Sequence, residues 1–140
     1  LSAISFYRVS RWLYLHHIPV LPKLITLLIF LIYNSKIPYQ EKIGRGSTFG
    51  YGGMGVVIHS KSIIGVNCTI CQQVSIGGNS RFPEVPVIGN NVYIAKGSIV
   101  MGGITIGNNV TIGANAVVTK PIPDNAIVAG VPTKILRTKE

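Results

Sequence analysis

Large aliphatic side chains recur at every sixth residue along most of this chain. A helix buries residues at a period of about 3.6 and a strand at a period of two, so neither element alone explains a period of six. Short strands that turn a corner every six residues do explain it. One register contains Ile58, Ile64, Ile70, Ile76, Ile88, Ile94, Val100, Ile106, Ile112 and Val118. An earlier set, Ile37, Ile43 and Phe49, keeps the period but is offset by three residues.

The residues between these aliphatics predict how the chain turns. Small or β-branched residues stand four places after most of them, where the walls of a coil converge, as at Ser62, Cys68 and Ala116. Gly, often followed by Asn, stands one place after, and both residue types accept the positive φ of a tight corner. Three sides per coil make a triangular prism. The sequence therefore predicts an all-β fold, a parallel β-helix whose stacked coils share their backbone hydrogen bonds.

The first 34 residues have a different composition and predict a helical cap. Two helix-like runs are separated by Pro19 and Pro22, which favour a break. The second run, 24–33, is well short of the roughly 20 residues that cross a bilayer. No small-residue cleavage site follows it, so we do not expect a signal peptide. We expect a cap over residues 1–34 and a β-helix domain with a C-terminal tail over residues 35–140.

A second interpretation of residues 1–33 is an interfacial membrane anchor. Basic and aromatic side chains are interleaved in this segment: Arg8, Arg11, Trp12, Tyr14 and Lys23. The whole chain of 140 residues carries 13 Lys and Arg against 4 Asp and Glu, a net charge of +9, which favours polyanions as partners. A helical cap and a peripheral membrane contact are compatible with each other.

Metal chemistry is not expected. Cys68 and Cys71 form a single C-x-x-C pair, which lacks the second half of a zinc site and the βαβ context of a redox motif. Cys68 falls on an inward small position and Cys71 on a corner, so we interpret both as structural. A γ-class carbonic anhydrase needs three His ligands near the repeats, and only His59 lies there.

Three stretches of the chain resemble a known family. IGNNVYIAKGSIV, ITIGNNVTIGANAVV and the closing PDNAIVAGVPTKIL are similar to the left-handed β-helix of hexapeptide-repeat acyltransferases. The serine acetyltransferase-like branch, which includes capsule and O-antigen sugar acetyltransferases, is the most similar, over roughly residues 36–137. The resemblance implies an acetyl-CoA-dependent enzyme that needs no metal. It also implies a homotrimer whose active sites lie between neighbouring prisms. The implied location is the cytoplasm, at the inner face of the membrane if residues 1–33 contact lipid. Nucleic acid is not an expected partner.

His59 is the candidate general base. Acetyl transfer from a thioester to a hydroxyl needs a base, a donor for the developing oxyanion and an aligned thioester. His16 and His17 lie in the helical segment, whereas His59 occupies a corner that Gly or Ala fills elsewhere. The Gly78 amide, in the Ser-Ile-Gly-Gly motif, is the predicted oxyanion donor. Glu84 is the predicted carboxylate that orients His59, by approach from a neighbouring subunit.

The resemblance also implies a path for acetyl-CoA. Its pantetheine arm runs along the coils in this family, where this chain offers small residues and free backbone groups: Gly77, Gly78, Ala95, Gly113 and Ala114. Basic side chains near the C-terminus are the predicted partners of its phosphates: Lys120, Lys134 and Arg137.

The acceptor is inferred from departures from serine acetyltransferases. Their catalytic Asp-His pair corresponds to Gly50-Tyr51, their substrate Arg-His pair to Glu84-Val85, and their upstream aspartate to Lys36. The loss of the arginine predicts a neutral acceptor, a sugar hydroxyl in capsule or O-antigen polysaccharide synthesis, with Tyr51 and Glu84 at the acceptor pocket. One alternative is serine O-acetylation in cysteine biosynthesis. Another is a non-catalytic basic module that binds nucleic acid or membrane.

Overall fold

A computed structural model describes residues 2–140 of this protein. Two helices open the chain, α1 (Ala3–Leu15) and α2 (Leu21–Tyr33). Fourteen short strands follow: β1 (Lys42–Ile43), β2 (Thr48–Phe49), β3 (Val57–Ile58), β4 (Ile63–Ile64), β5 (Thr69–Ile70), β6 (Ser75–Gly77), β7 (Val87–Ile88), β8 (Tyr93–Ile94), β9 (Ile99–Met101), β10 (Thr105–Ile106), β11 (Thr111–Ile112), β12 (Val117–Val118), β13 (Ala126–Ala129) and β14 (Lys134–Thr138).

The strands build a parallel β-helix, as the six-residue period predicts, and its left hand is the one that the family resemblance implies. Its three walls are the sheets β1-β4-β7-β10, β14-β13-β11-β8-β5-β2 and β12-β9-β6-β3. The strand pairings between coils are parallel, and the terminal β13–β14 hairpin is antiparallel. All ten aliphatics of the main register point into the prism and are at most 2% exposed.

Two interruptions of the six-residue period make this solenoid irregular. The first is a 3₁₀ turn, Gly50–Gly53, between β2 and β3, and it accounts for the three-residue offset of the earlier register. The second is the Pro-rich excursion 79–86 between β6 and β7. Both interruptions adjoin the sheet that contains β3 and β6, so one edge of the prism differs from the other two.

The corners have the backbone that the Gly and Asn pattern predicts. Asn67, Asn91, Asn109 and Asn125 have φ between 55° and 63°. At the glycine corner, a methyl group added to Gly65 would lie 2.4 Å from the Gly89 carbonyl oxygen. This spacing excludes any side chain there, because Cβ atoms essentially never approach backbone so closely.

A ladder of side-chain carbonyl groups ties one corner of successive coils together. Asn90 Oδ1 accepts a hydrogen bond from the Val66 amide at 2.9 Å, and Asn108 Oδ1 accepts one from the Asn90 amide at 2.8 Å. Asp124 Oδ1 accepts from the Asn108 amide at 2.7 Å. The repeated Asn therefore satisfies amides that the turning backbone leaves without a partner.

The N-terminal helices pack on the first coil. Arg8 donates to the carbonyl oxygens of Ile43 and Gly44, both at 2.7 Å, and Arg11 donates to those of Tyr39 and Gln40, both at 3.0 Å. These carbonyls belong to the open end of the prism, where no earlier coil can pair with them. No helix within residues 2–140 combines the length and apolar character needed to span a membrane.

The C-x-x-C pair is divided between the interior and the surface. Cys68 is fully buried, with Sγ 3.1 Å from the Gly89 carbonyl oxygen, and burial raises the pKa of its thiol. Cys71 lies at the corner after β5 and contacts the Tyr93 hydroxyl at 3.4 Å. Both cysteines are free thiols with separate surroundings.

Candidate functional site

His59 stands at the corner that follows β3, on the irregular edge of the prism. Its backbone amide donates to the Ile76 carbonyl oxygen at 2.9 Å, which fixes the residue against the next coil. Gly77 occupies the same corner one coil further, and a methyl group added there would lie 4.0 Å from the His59 Cβ. The His59 side chain is solvent-exposed.

One ring nitrogen of His59 already has a partner. The Lys61 amide donates to Nδ1 at 3.1 Å. A neutral imidazole has one donor and one acceptor nitrogen, so this contact places the ring proton on Nε2. His59 is thus arranged to donate from Nε2, and Nε2 can accept a proton only in the other tautomer, in which Nδ1 carries the proton and no longer accepts from the Lys61 amide.

Two cavities border His59. The first, of about 490 Å³, is lined by residues that precede the first coil, including Lys36, Tyr39 and Gln40, together with His59 and Gly77. The second, of about 650 Å³, lies under the excursion, where its lining includes Gly78, Arg81 and Phe82 beside His59. His59 is therefore the shared wall of a two-sided groove, a suitable position for a group that acts between two substrates.

Glu84 does not reach this groove within one protomer. It borders a third cavity, of about 320 Å³, together with Met101 and Thr119. Its side chain packs against Gly103, where an added methyl group would come within 2.5 Å of the Glu84 Cβ. The predicted orienting contact between Glu84 and His59 is therefore absent inside the protomer and stays a prediction for a neighbouring subunit.

The predicted acetyl-CoA residues are divided between edges. Gly77 and Gly78 lie beside His59, whereas Ala95, Gly113 and Ala114 follow β8 and β11 on a different wall.

The basic residues predicted to bind phosphate are solvent-exposed. Lys134 and Arg137 lie on β14, the edge strand that closes the six-stranded sheet, and Lys120 follows β12. Tyr51 lies in the 3₁₀ turn with φ 49° and is 80% exposed. It lines neither of the cavities that border His59.

Sequence analysis missed Lys36, Tyr39 and Gln40 as site residues. Lys36 forms a parallel bridge with Val57, so the segment before the first repeat runs alongside β3. This register places Pro38 next to His59. The signal was present in the offset set beginning at Ile37, because Ile37 occupies the inward position one coil before Ile58.

The chain is similar to known hexapeptide-repeat proteins. The family model described as bacterial transferase hexapeptide (six repeats) matches residues 86–120. A serine acetyltransferase of Synechococcus elongatus is 37% identical over 96% of this chain and 56% of its own length. One from Helicobacter pylori is 33% identical over 97% of this chain and 80% of its own length. A solved serine acetyltransferase in complex with CoA superposes with a TM-score of 0.86 at 32% identity, over 96% of this chain and 55% of that one. The chain thus spans little more than half of the Synechococcus relative.

These similarities correct the predicted acceptor. The sugar acceptor and the role in capsule or O-antigen polysaccharide synthesis are wrong, because the relatives that match almost the whole chain are serine acetyltransferases. The prediction treated the missing arginine at Glu84-Val85 as the loss of every cation near the acceptor. In the folded chain, Lys36 and Arg81 each border one of the two cavities beside His59. This chain belongs to the serine acetyltransferase family of hexapeptide-repeat proteins.

Proposed function

We propose that this protein is an acetyl-CoA-dependent acyltransferase that transfers the acetyl group to the hydroxyl of serine. The observation that carries this proposal is the 37% identity to a serine acetyltransferase along 96% of the chain. The groove around His59 supports it, since two cavities on either side of one imidazole can hold a thioester and a small hydroxyl compound at once.

The proposed chemistry is direct transfer in a ternary complex. His59 takes the proton of the acceptor hydroxyl, and the oxygen attacks the thioester carbonyl carbon. The tetrahedral oxyanion then collapses with cleavage of the carbon–sulfur bond, and the CoA sulfur receives the proton from the imidazolium. A positioned base of this kind contributes typically 10²–10⁴-fold to the rate.

For this step His59 changes its hydrogen bonding. With Nδ1 accepting from the Lys61 amide, Nε2 carries the proton and has no lone pair to offer. The ring therefore rotates away from the Lys61 amide or exchanges tautomer when the acceptor binds. The Gly78 amide, at the exposed end of the Ser-Ile-Gly-Gly motif, is the proposed donor to the oxyanion.

We also propose that the active unit is a homotrimer. The base lies on the edge that follows β3, and the predicted pantetheine path through Ala95 and Gly113 lies on another. A neighbouring prism that packs against the edge after β3 would bring its own pantetheine path to this base. The oligomeric mass in solution, with and without CoA, tests this assembly.

The decisive experiment measures serine-dependent release of CoA from acetyl-CoA. We expect His59→Ala to lower kcat by about 10²–10⁴-fold, the usual contribution of a general base. His17→Asn removes another exposed imidazole, at the end of α1, and is the matched control with unchanged turnover. Circular dichroism checks that both variants fold.

Two results contradict the proposal at different levels. Wild-type protein that binds CoA but releases none in the presence of serine removes the assigned acceptor. Serine turnover that persists at the wild-type rate in His59→Ala keeps the activity but removes His59 as the base.

A further inference from the structure

Lys36 occupies a fixed position beside the proposed base. Its amide donates to the Val56 carbonyl oxygen and its own carbonyl accepts from the Ile58 amide, both at 2.9 Å. The parallel bridge between Lys36 and Val57 makes this segment a strand neighbour of β3. His59 lies two residues beyond Val57, roughly 7 Å along a strand that rises about 3.3 Å per residue. A lysine side chain spans that distance.

The cavity that Lys36 shares with His59 is electropositive. Its lining includes Thr26, Tyr39 and Gln40 as uncharged polar residues, and Lys36 is its one permanently charged group among residues 2–140. No carboxylate from the described part of the chain lines it. Within one protomer, the cavity thus offers a partner to an anionic group of an acceptor but none to a cationic group.

We infer that Lys36 binds the carboxylate of the acceptor and that the site requires a hydroxyl-bearing carboxylic acid but not its α-ammonium group. This inference rests on the proposed acetyl transfer. A lysine ammonium is a compact charge with three donors and suits a carboxylate without demanding bidentate geometry. An acceptor held by Lys36 at one end presents its hydroxyl toward His59. Its α-ammonium meets no acidic group from the same protomer in the cavity, so we expect removal of that ammonium to cost little.

The test compares three acceptors with wild-type protein. L-Serine carries both charged groups, 3-hydroxypropanoate lacks the ammonium, and L-serinamide lacks the carboxylate. CoA release gives kcat and KM for each compound. We expect kcat/KM for 3-hydroxypropanoate within about tenfold of that for L-serine. We expect L-serinamide to be at least about tenfold poorer than L-serine, since a hydrogen bond to a charged group contributes about 1.5–3 kcal/mol.

Variants assign the effect to one side chain. Lys36→Gln is expected to raise the KM for L-serine by about 10–100-fold, while kcat and the KM for acetyl-CoA stay near wild type. Lys36→Arg keeps the positive charge and is expected to restore most of the affinity. Lys42→Gln, at an exposed lysine on β1 that borders neither cavity beside His59, is the matched control for loss of one positive charge. Arg81→Gln removes the cation that borders the second cavity.

The outcomes separate this inference from the proposed function. Serine turnover with an unchanged KM in Lys36→Gln, or with a KM raised in Arg81→Gln instead, overturns the role of Lys36 and leaves the activity standing. L-Serinamide used as well as L-serine also overturns it. No turnover of either carboxylic acid by wild-type protein overturns the proposed function and this inference together.

Discussion

Glu41 is the most unusual polar residue of the fold, because its carboxyl group is buried without a partner. The residue is fully buried in the turn before β1, and neither Oε1 nor Oε2 has a hydrogen bond. Burial raises the pKa of this carboxyl well above its usual value, and the nearby Arg11 guanidinium opposes the shift without cancelling it. Arg11 directs its hydrogen bonds to the carbonyls of Tyr39 and Gln40 instead.

The sign of the effect on stability follows from proton linkage. As pH rises past about 4.3, the ordinary pKa of Glu, the unfolded chain loses the Glu41 proton while the folded chain keeps it. The folded state then binds more protons than the unfolded state, so the free energy of unfolding falls as pH rises. The free energy of unfolding stops falling above the raised pKa of Glu41 in the folded chain, where the carboxyl is ionised in both states.

Glu41→Gln removes this penalty without changing the shape of the side chain. At pH 4 the variant and the wild type are both neutral at residue 41, and we expect them to unfold at similar urea concentrations. At pH 8 we expect the variant to be the more stable protein, by about 1.4 kcal/mol for each unit by which burial raises the folded pKa of Glu41 above the unfolded one. Glu41→Met, which has no polar oxygen to bury, is expected to be at least as stable as Glu41→Gln.

Urea unfolding followed by circular dichroism at pH 4, 6 and 8 provides the measurement. Glu140→Gln, at the exposed C-terminal residue, is the control and should leave the pH dependence unchanged. The reasoning is refuted if Glu41→Gln is less stable than wild type at pH 8. It is refuted equally if the difference between the two proteins is the same at all three pH values.

Two further predictions concern the prism itself. Ile94→Ala, in the fully buried centre of β8, is expected to lower the free energy of unfolding by about 2–5 kcal/mol in urea titrations. The outward-facing Ile63→Ala, 40% exposed, should cost less than half as much, and equal costs would argue against a packed interior. Gly65→Ala places a methyl group 2.4 Å from the Gly89 carbonyl oxygen, so we expect it to lower the free energy of unfolding by about 1–3 kcal/mol. An unchanged urea midpoint in this variant would contradict the close stacking of the coils at this corner.

The periodic part of the fold was predictable because every coil repeats the same physical requirement. An inward aliphatic such as Ile94 must fill the prism, and a residue such as Asn109 must tolerate φ near 58° at the corner. The helical cap was predictable in outline from Pro19 and Pro22. The way the cap is attached to the prism was not predictable from the sequence. It depends on hydrogen bonds from Arg8 to the Ile43 and Gly44 carbonyl oxygens, which are 35 and 36 residues away along the chain.

The candidate site was predictable only where a residue broke the repeat. His59 was identified because an imidazole replaced the small corner residue, and its neighbour Gly77 followed from the Ser-Ile-Gly-Gly motif. Lys36 was overlooked as a site residue because it lies before the first repeat and reaches the site through a strand bridge. Peripheral membrane contact through residues 1–33 and the roles of Tyr51 and Glu84 stay predictions.

The location of the site follows from the way a solenoid is built. In a regular prism every corner has the same backbone and the same neighbours, so no corner provides a cavity that the others lack. Here the 3₁₀ turn Gly50–Gly53 and the excursion 79–86 both interrupt the chain next to the sheet of β3 and β6. The excursion builds a cavity on one side of His59, and the segment around Lys36 builds another on the other side. The repeat therefore supplies a rigid frame, and the excursion together with the segment around Lys36 supplies the asymmetry that the proposed two-substrate reaction requires.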